Sequence, residues 1–188
     1  MIGVFDSGYG GLSILRQIRR RLPDYDYLYL GDNARAPYGP RSFDVVYRYT
    51  LQAVQELFAR GCELVILACN TASAKALRSI QQQDLPRLAP DRRVLGVIRP
   101  TVEAVGTLTR SRHVGILVTQ GTIRPQRHEL EIPKFHPAIV VTGQACPMWV
   151  PQVESGDSAS PGDDYFVQQR LQQILPRHPQ IDHHVLPS

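Results

Sequence analysis

The chain has 188 residues, of which 43% are apolar and 20% are charged, an ordinary balance for a folded globular protein. This composition excludes an intrinsically disordered protein and allows one large or two small domains. The formal net charge is +4, but the arginines are scattered rather than gathered into a stripe, which argues against a nucleic-acid-binding protein.

The three cysteines, Cys62, Cys69 and Cys146, form no CxxC pair and leave an odd number. This pattern predicts neither a disulfide framework nor a zinc site, and it favours a reducing cytoplasm. Asp6 interrupts the first apolar run before the hydrophobic region of a signal peptide develops, and no apolar run approaches the length of a membrane span. We therefore expect a soluble cytoplasmic protein that binds neither a metal nor a membrane.

Short apolar runs alternate with segments of helical period, which is typical of a parallel sheet covered by helices. The first three predicted strands are residues 2–5, 27–30 and 64–68. Ser42 is the predicted N-cap of a long helix that ends at Gly61. Further strands are predicted at 94–98, 114–118, 138–141 and 183–186, with a helix over 166–175.

A weak internal repeat relates residues 64–71 to residues 114–122, because each segment ends an apolar run in small polar residues. The predicted fold is therefore α/β, with two similar parallel-sheet units that face each other and a site between them at the carboxyl ends of the strands. Prolines and charges place the boundary so that the units are residues 1–92 and 93–188, the second being incomplete at its C-terminus.

Small polar triplets follow each of the first three predicted strands. They are Asp6-Ser7-Gly8, Pro37-Tyr38-Gly39 and Cys69-Asn70-Thr71. Because parallel strands end at the same edge of a sheet, we expect the triplets to project together. Each one alone is more often a turn or loop, but their hydroxyl and amide groups together favour a small zwitterionic ligand.

Cys69 is the strongest candidate for a reactive residue. It lies between an apolar strand and a helix-like segment, and a helix N-terminus can lower the pKa of a thiol and hold it partly as thiolate. Cys62, just before the strand, is interpreted as core filling, and Cys146, before a proline, as a packing residue. The glycine-rich segment 8–11 lacks the lysine and the spacing of a nucleotide-binding loop.

Three motifs together carry a family resemblance: residues 5–12 (Phe-Asp-Ser-Gly-Tyr-Gly-Gly-Leu), Gly31-Asp32 with Pro37-Tyr38-Gly39, and residues 68–73 (Ala-Cys-Asn-Thr-Ala-Ser). In order and spacing they resemble glutamate racemase of bacterial peptidoglycan synthesis. Residues 144–148, Val150-Pro151, Glu154 and 161–166 are similar to the family too, so the resemblance runs along essentially the whole chain.

The resemblance implies a cofactor-independent isomerase that interconverts L- and D-glutamate and supplies D-glutamate for the cell wall and cell shape. Two cysteines would act on opposite faces of the α-carbon, because inversion of a planar carbanion needs a base on one face and an acid on the other. No pyridoxal phosphate is implied, so contacts to the carboxylate in a dry site would stabilise the developing charge.

The resemblance also assigns residues. Cys69 would be the base that handles D-glutamate, and Asp6, Asp32 and Glu154 would tune or assist the cysteines. The implied substrate contacts are Asp6, Ser7, Pro37, Tyr38, Gly39, Asn70, Thr71 and Thr122. A carboxylate near a thiol favours the neutral thiol, so Asp6 would act by accepting a proton or by ordering the site.

The second cysteine of the family falls on Ser188, where a serine is a poor base. We therefore expect a truncated, frameshifted or degenerate copy in which efficient racemisation is lost. The alternatives are a racemase of another acidic amino acid such as aspartate, a non-catalytic glutamate-binding protein, and a fragment without function. The expected partner is a small-molecule substrate, with no nucleic acid and no membrane, and a homodimer is left open.

Overall fold

The computed structural model describes residues 1–118, 132–145, 172 and 179–185. Over these residues the chain is a mixed α/β protein with two parallel sheets, which confirms the predicted class. The chain divides into two compact units, and the division falls between Ile98 and Arg99. Most of the helix predicted over 166–175 lies outside the described residues.

The first sheet has the strands β1 (Ile2–Asp6), β2 (Tyr27–Gly31), β3 (Leu64–Leu67) and β4 (Arg93–Gly96), in the order β2-β1-β3-β4. All neighbouring strands are parallel, with Ile2 opposite both Tyr27 and Leu64. The three strands predicted at the start of the chain are thus confirmed. Their carboxyl ends lie side by side at one edge of the sheet.

Helices connect these strands. They are α1 (Gly11–Arg21), α2 (Phe43–Ala59), α3 (Asn70–Lys75), α4 (Leu77–Ser79) and α5 (Leu85–Leu88), with a 3-10 turn at Asn33–Arg35 and a π-helical segment at Ile80–Asp84. The Ser42 side chain caps α2 by accepting a hydrogen bond from the Val45 amide, as predicted. Gly61, just after the end of α2, has a backbone φ of +90°, which favours glycine. No described helix is long and apolar enough to cross a membrane.

The main core lies between the sheet and α2. Alternate side chains of the strands, including Phe5, Val65 and Val94, pack there against Val54 and Leu57. Cys62 is fully buried in the same cluster, which confirms its interpretation as core filling. A smaller cluster on the opposite face of the strands packs against α1; its members are Ile2, Val4 and Ala68, with Ile14, Leu15, Leu64 and Ile66 partly buried beside them.

The strand expected to open the second unit instead lies at the edge of the first sheet. β4 pairs in parallel with β3, with Leu64 opposite Arg93, and Ile98 already begins the next helix, α6 (Ile98–Leu108). The proline signal that suggested an earlier boundary has a local cause. Pro86 occupies the first turn of α5, where a missing N–H leaves no hydrogen bond unmade.

The second unit contains β5 (His113–Val118), β6 (Val140–Ala145) and β7 (His183–Val185), in the parallel order β6-β5-β7. All three strands are predicted, but β6 lies further along the chain than expected. Gln144 and Ala145, which lie beyond the predicted strand, pair with Leu117 and Val118 of β5. Pairing with a neighbouring strand overrides their weak individual preference for extended structure.

Asp182, just before β7, ties this strand to the turn before β5. Its carboxylate accepts hydrogen bonds from the Thr109 hydroxyl at 2.7 Å and from the Arg110 and Ser111 amides at 2.7 and 2.8 Å. These bonds, first of all that from Thr109, hold the pKa of the Asp182 carboxyl far below its usual range. The contact links residues that are more than 70 positions apart in the sequence.

Candidate active site

Cys69 is the N-cap of α3, directly after β3. Its side chain accepts a hydrogen bond from the Ala72 amide, with 3.4 Å between the nitrogen and Sγ, and it is only 3% exposed. The Ser73 hydroxyl fixes the same turn by donating to the Leu67 carbonyl at 2.9 Å. The transition from strand to helix therefore holds the thiol in one place at the carboxyl edge of the sheet.

Asp6, the last residue of β1, and Ser7, which follows it, lie beside this thiol. The Ser7 hydroxyl and the Cys69 thiol share a hydrogen bond with 3.3 Å between Oγ and Sγ. The buried Asp6 carboxylate accepts a hydrogen bond from the Gly8 amide at 3.0 Å, which closes a tight turn after the strand. Two of the three predicted triplets therefore meet, as their strand ends require.

The thiol of Cys69 has a raised pKa, not the lowered one expected from its place at a helix start. Burial is the largest cause, and the negative charge of Asp6 adds to it. Hydrogen bonds from Ser7 and from the Ala72 amide act in the expected, lowering direction but are outweighed. Cys69 is therefore a neutral thiol near neutral pH.

The third triplet is anchored to Asp32 at the end of β2. The Tyr38 phenol donates a hydrogen bond to the Asp32 carboxylate, and Arg35 Nε donates a second one to the same oxygen at 2.7 Å. Tyr38 is 1% exposed and Asp32 is 8% exposed. Burial and the hydrogen bond to Asp32 raise the pKa of Tyr38 far above its usual value. The phenol therefore stays neutral and keeps its proton in the bond to Asp32.

Two side chains that the sequence motifs did not single out also belong to this region. The Tyr29 hydroxyl, on β2, donates to the Gly8 carbonyl at 2.8 Å, and its pKa is raised by burial, by Asp6 and by Cys69. Lys75 donates from α3 to the carbonyls of Gly39 and Arg41. Side chains along a strand point alternately to the two faces of the sheet, and this alternation in β2 could have indicated Tyr29. Nothing in the local sequence indicates Lys75.

The structure thus brings together the predicted residues that belong to the first sheet. Asn70 and Thr71 form the first turn of α3 and are partly exposed. Thr122, Cys146, Glu154 and Ser188 lie outside the described residues. Within the described ranges, no three His, Cys, Asp or Glu side chains cluster in a way that could hold a metal ion.

Comparison with known proteins fits this geometry. No protein-family model matches the chain. A glutamate racemase from Geobacter metallireducens is 43% identical over 156 residues, which are 82% of this chain and 55% of that protein. The structure of glutamate racemase from Aquifex pyrophilus has a TM-score of 0.79 and 32% identity, covering 100% of this chain and 70% of that one. The chain belongs to the glutamate racemase family.

A third relative of known structure is the glutamate racemase of Francisella tularensis in complex with D-glutamate. It has a TM-score of 0.82 and 31% identity, covering 98% of this chain and 66% of that one. The chain spans 55% to 61% of the length of the first curated glutamate racemases it matches. The family's two-domain α/β fold agrees with the two parallel sheets described above.

Proposed function

We propose that this chain acts on glutamate by cofactor-independent proton transfer at the α-carbon, with Cys69 as the residue that carries the proton. The supporting observation is the buried Cys69 thiol, held 3.3 Å from Ser7 at the carboxyl edge of the first sheet in a member of the glutamate racemase family. The Francisella relative was solved with D-glutamate bound, which supports glutamate as the substrate.

Because its pKa is raised, we propose that Cys69 takes part first as a protonated thiol. As a neutral thiol it donates its proton to the planar carbanion of glutamate and so completes D-glutamate. In the reverse direction the thiolate accepts the α-proton, the C–H bond breaks, and the electron pair stays on the α-carbon next to the carboxylate. The ammonium of the substrate, placed near the sulfur, would lower the pKa of the thiol for this step.

The neighbouring residues complete the proposed half-site. Ser7, Asn70 and Thr71 would bind the polar groups of the substrate, together with the loop residues Pro37 and Gly39. Asp6 would hold the thiol protonated. Because the carboxylate of Asp32 already accepts bonds from Tyr38 and Arg35, we propose that Asp32 and Tyr38 shape the substrate loop rather than transfer protons.

Inversion also needs a proton carrier on the opposite face of the α-carbon. The resemblance assigns that position to Ser188, and it assigns supporting roles to Thr122 and Glu154. A serine hydroxyl is a far weaker acid than a thiol and a poor base without activation. We therefore propose that residues 1–188 exchange the α-proton of D-glutamate on one face faster than they interconvert the two enantiomers.

The test is proton NMR of D- and L-glutamate incubated with the purified protein in deuterated water. Loss of the α-proton signal of D-glutamate that depends on Cys69 supports the proposal, while equal loss with Cys69→Ala contradicts it. A chiral assay on the same samples measures net racemisation. Turnover comparable with that of the Geobacter relative would contradict one-sided exchange, and faster exchange of D-aspartate would indicate a different substrate.

The biological setting is proposed on the same basis. Cys69 must stay reduced to carry a proton, which favours the cytoplasm, and the product would supply D-glutamate for peptidoglycan. Fluorescence microscopy of a tagged chain tests the compartment. Light scattering during size-exclusion chromatography tests whether the chain forms a homodimer.

A further inference from the structure

Lys75 connects the helix that begins at Cys69 to the loop that contains Tyr38. Its ammonium donates one hydrogen bond to the Gly39 carbonyl at 3.1 Å and another to the Arg41 carbonyl at 2.7 Å. Lys75 is the last residue of α3, and Cys69 is the cap at the other end of the same short helix. One six-residue helix therefore carries the reactive thiol at its start and the attachment of the loop at its end.

The loop has few other ways of holding this shape. No strand or α-helix contains residues 36–42, and Arg41 Nε binds the Arg35 and Pro37 carbonyls from within the loop at 3.0 and 3.2 Å. The bonds of Tyr38 and Arg35 to Asp32 attach the loop to β2. Lys75 joins this loop to the Cys69 helix by its two hydrogen bonds.

Charge adds a second reason for a lysine here. The ammonium lies at the C-terminal end of α3, where the helix dipole favours a cation. Partial burial lowers the pKa of Lys75, whereas a negative charge on Cys69 raises it. Because the interaction of two charges is mutual, the Lys75 ammonium favours the Cys69 thiolate, while burial and Asp6 remain the larger influences on the pKa of the thiol.

We propose that Lys75 is a positioning residue that fixes the Gly39 loop relative to Cys69 and stabilises the thiolate during proton transfer. The part that concerns glutamate rests on the function proposed above. The part that concerns the loop and the thiol does not, because it depends only on contacts within this chain.

The test compares the full chain with three variants. Lys75→Met removes the ammonium but keeps most of the side-chain volume, and Lys75→Arg restores a charged donor. Arg78→Met is the matched control, because it removes an exposed positive charge three residues later. Circular dichroism first checks that each variant is folded. If Lys75→Met does not fold, Lys75→Gln takes its place.

Hydrogen exchange reports on the loop, because the Arg41 amide donates to the Tyr38 carbonyl at 3.1 Å. We expect this amide to exchange about tenfold faster in Lys75→Met, since two bonds from a charged donor are lost. Alkylation of Cys69 by iodoacetamide, followed by mass spectrometry across pH, reports on the thiol. The pH at the midpoint of Cys69 alkylation should be higher in Lys75→Met and should return towards the wild-type value in Lys75→Arg.

D-glutamate binding by calorimetry should weaken about tenfold in Lys75→Met. If the wild-type chain binds no glutamate, the proposed function fails, while exchange and alkylation still decide the role of Lys75. Unchanged exchange and an unchanged alkylation midpoint in Lys75→Met would overturn the proposal. The same changes in Arg78→Met would overturn it too, since they would reflect net charge alone.

Discussion

The phenol of Tyr38 donates a hydrogen bond to the carboxylate of Asp32, although the two residues belong to different parts of an irregular loop. Arg35 binds the same carboxylate oxygen from the solvent side and stacks on Tyr49, with 4.1 Å between its guanidinium carbon and the ring centre. The carboxylate of Asp32 is thus satisfied by side chains of its own loop. The side chains of the loop therefore hold its shape themselves.

Replacement of Tyr38 by phenylalanine tests this anchor. Tyr38→Phe keeps the ring but removes one of two partners of a buried carboxylate, so the free energy of unfolding should fall by about 1–3 kcal/mol. Urea denaturation followed by circular dichroism measures the change. Tyr27→Phe is the control, because its hydroxyl donates to the Leu22 carbonyl at an exposed site and its loss should be smaller. Equal losses would contradict the buried anchor.

Neutralising Asp6 should make the Cys69 thiol more acidic. The carboxylate raises the pKa of Cys69, so Asp6→Asn should lower the pH midpoint of its alkylation and speed the reaction at pH values below the wild-type midpoint. Alkylation followed by tandem mass spectrometry separates Cys69 from Cys62. Asp44→Asn, at an exposed helix position, should leave the midpoint unchanged. An upward shift in Asp6→Asn would contradict the assigned charge effect.

Gly11 allows α1 to begin directly against the site. A Cβ atom at this position would lie 2.7 Å from Asp6 Cβ and 3.0 Å from Ala68 Cβ, both of them close to Cys69 in the sheet. Gly11→Ala should therefore destabilise the chain by about 1–3 kcal/mol despite the better helix propensity of alanine. Thermal unfolding measures this loss. The exposed substitution Gln17→Ala in the same helix should be neutral or slightly stabilising.

Asp182 makes the second sheet sensitive to acid. Its pKa is far lower in the folded chain than in the unfolded chain, so its contribution to stability is complete above about pH 4 and is lost progressively as the pH falls from there towards the pKa of the folded chain. Asp182→Asn should speed hydrogen exchange in β5 at pH 7, and by a smaller factor near pH 3. Asp24→Asn, an exposed carboxylate in the first unit, is the control. A constant difference at both pH values would contradict this linkage.

The sequence predicted the first sheet well, because its strands are apolar runs bounded by turn residues. The positions of Ser7 and Cys69 followed from that sheet alone, since parallel strands end at one edge. The capping role of Ser42 was equally local. Such features depend on neighbours in the chain and are visible in a single sequence.

The missed features depend on distant partners. Lys75 acts on carbonyl groups more than 30 positions away, which no residue pattern encodes. β4 joined the first sheet because of its pairing with β3, whereas its own sequence fits either unit equally well. The pKa of Cys69 was misjudged for the same reason, because burial by the surrounding chain outweighs the local effect of the helix start.

The order of the first sheet also determines when it can form during synthesis. β1 lies between β2 and β3 in the sheet but precedes both in the chain, so its second partner is made only with residues 64–67. Since non-local pairing must await the closure of a long loop, β1 waits with one edge unpaired while about 60 residues are made. Slow translation between β2 and β3 should therefore expose this strand to chaperones or to aggregation.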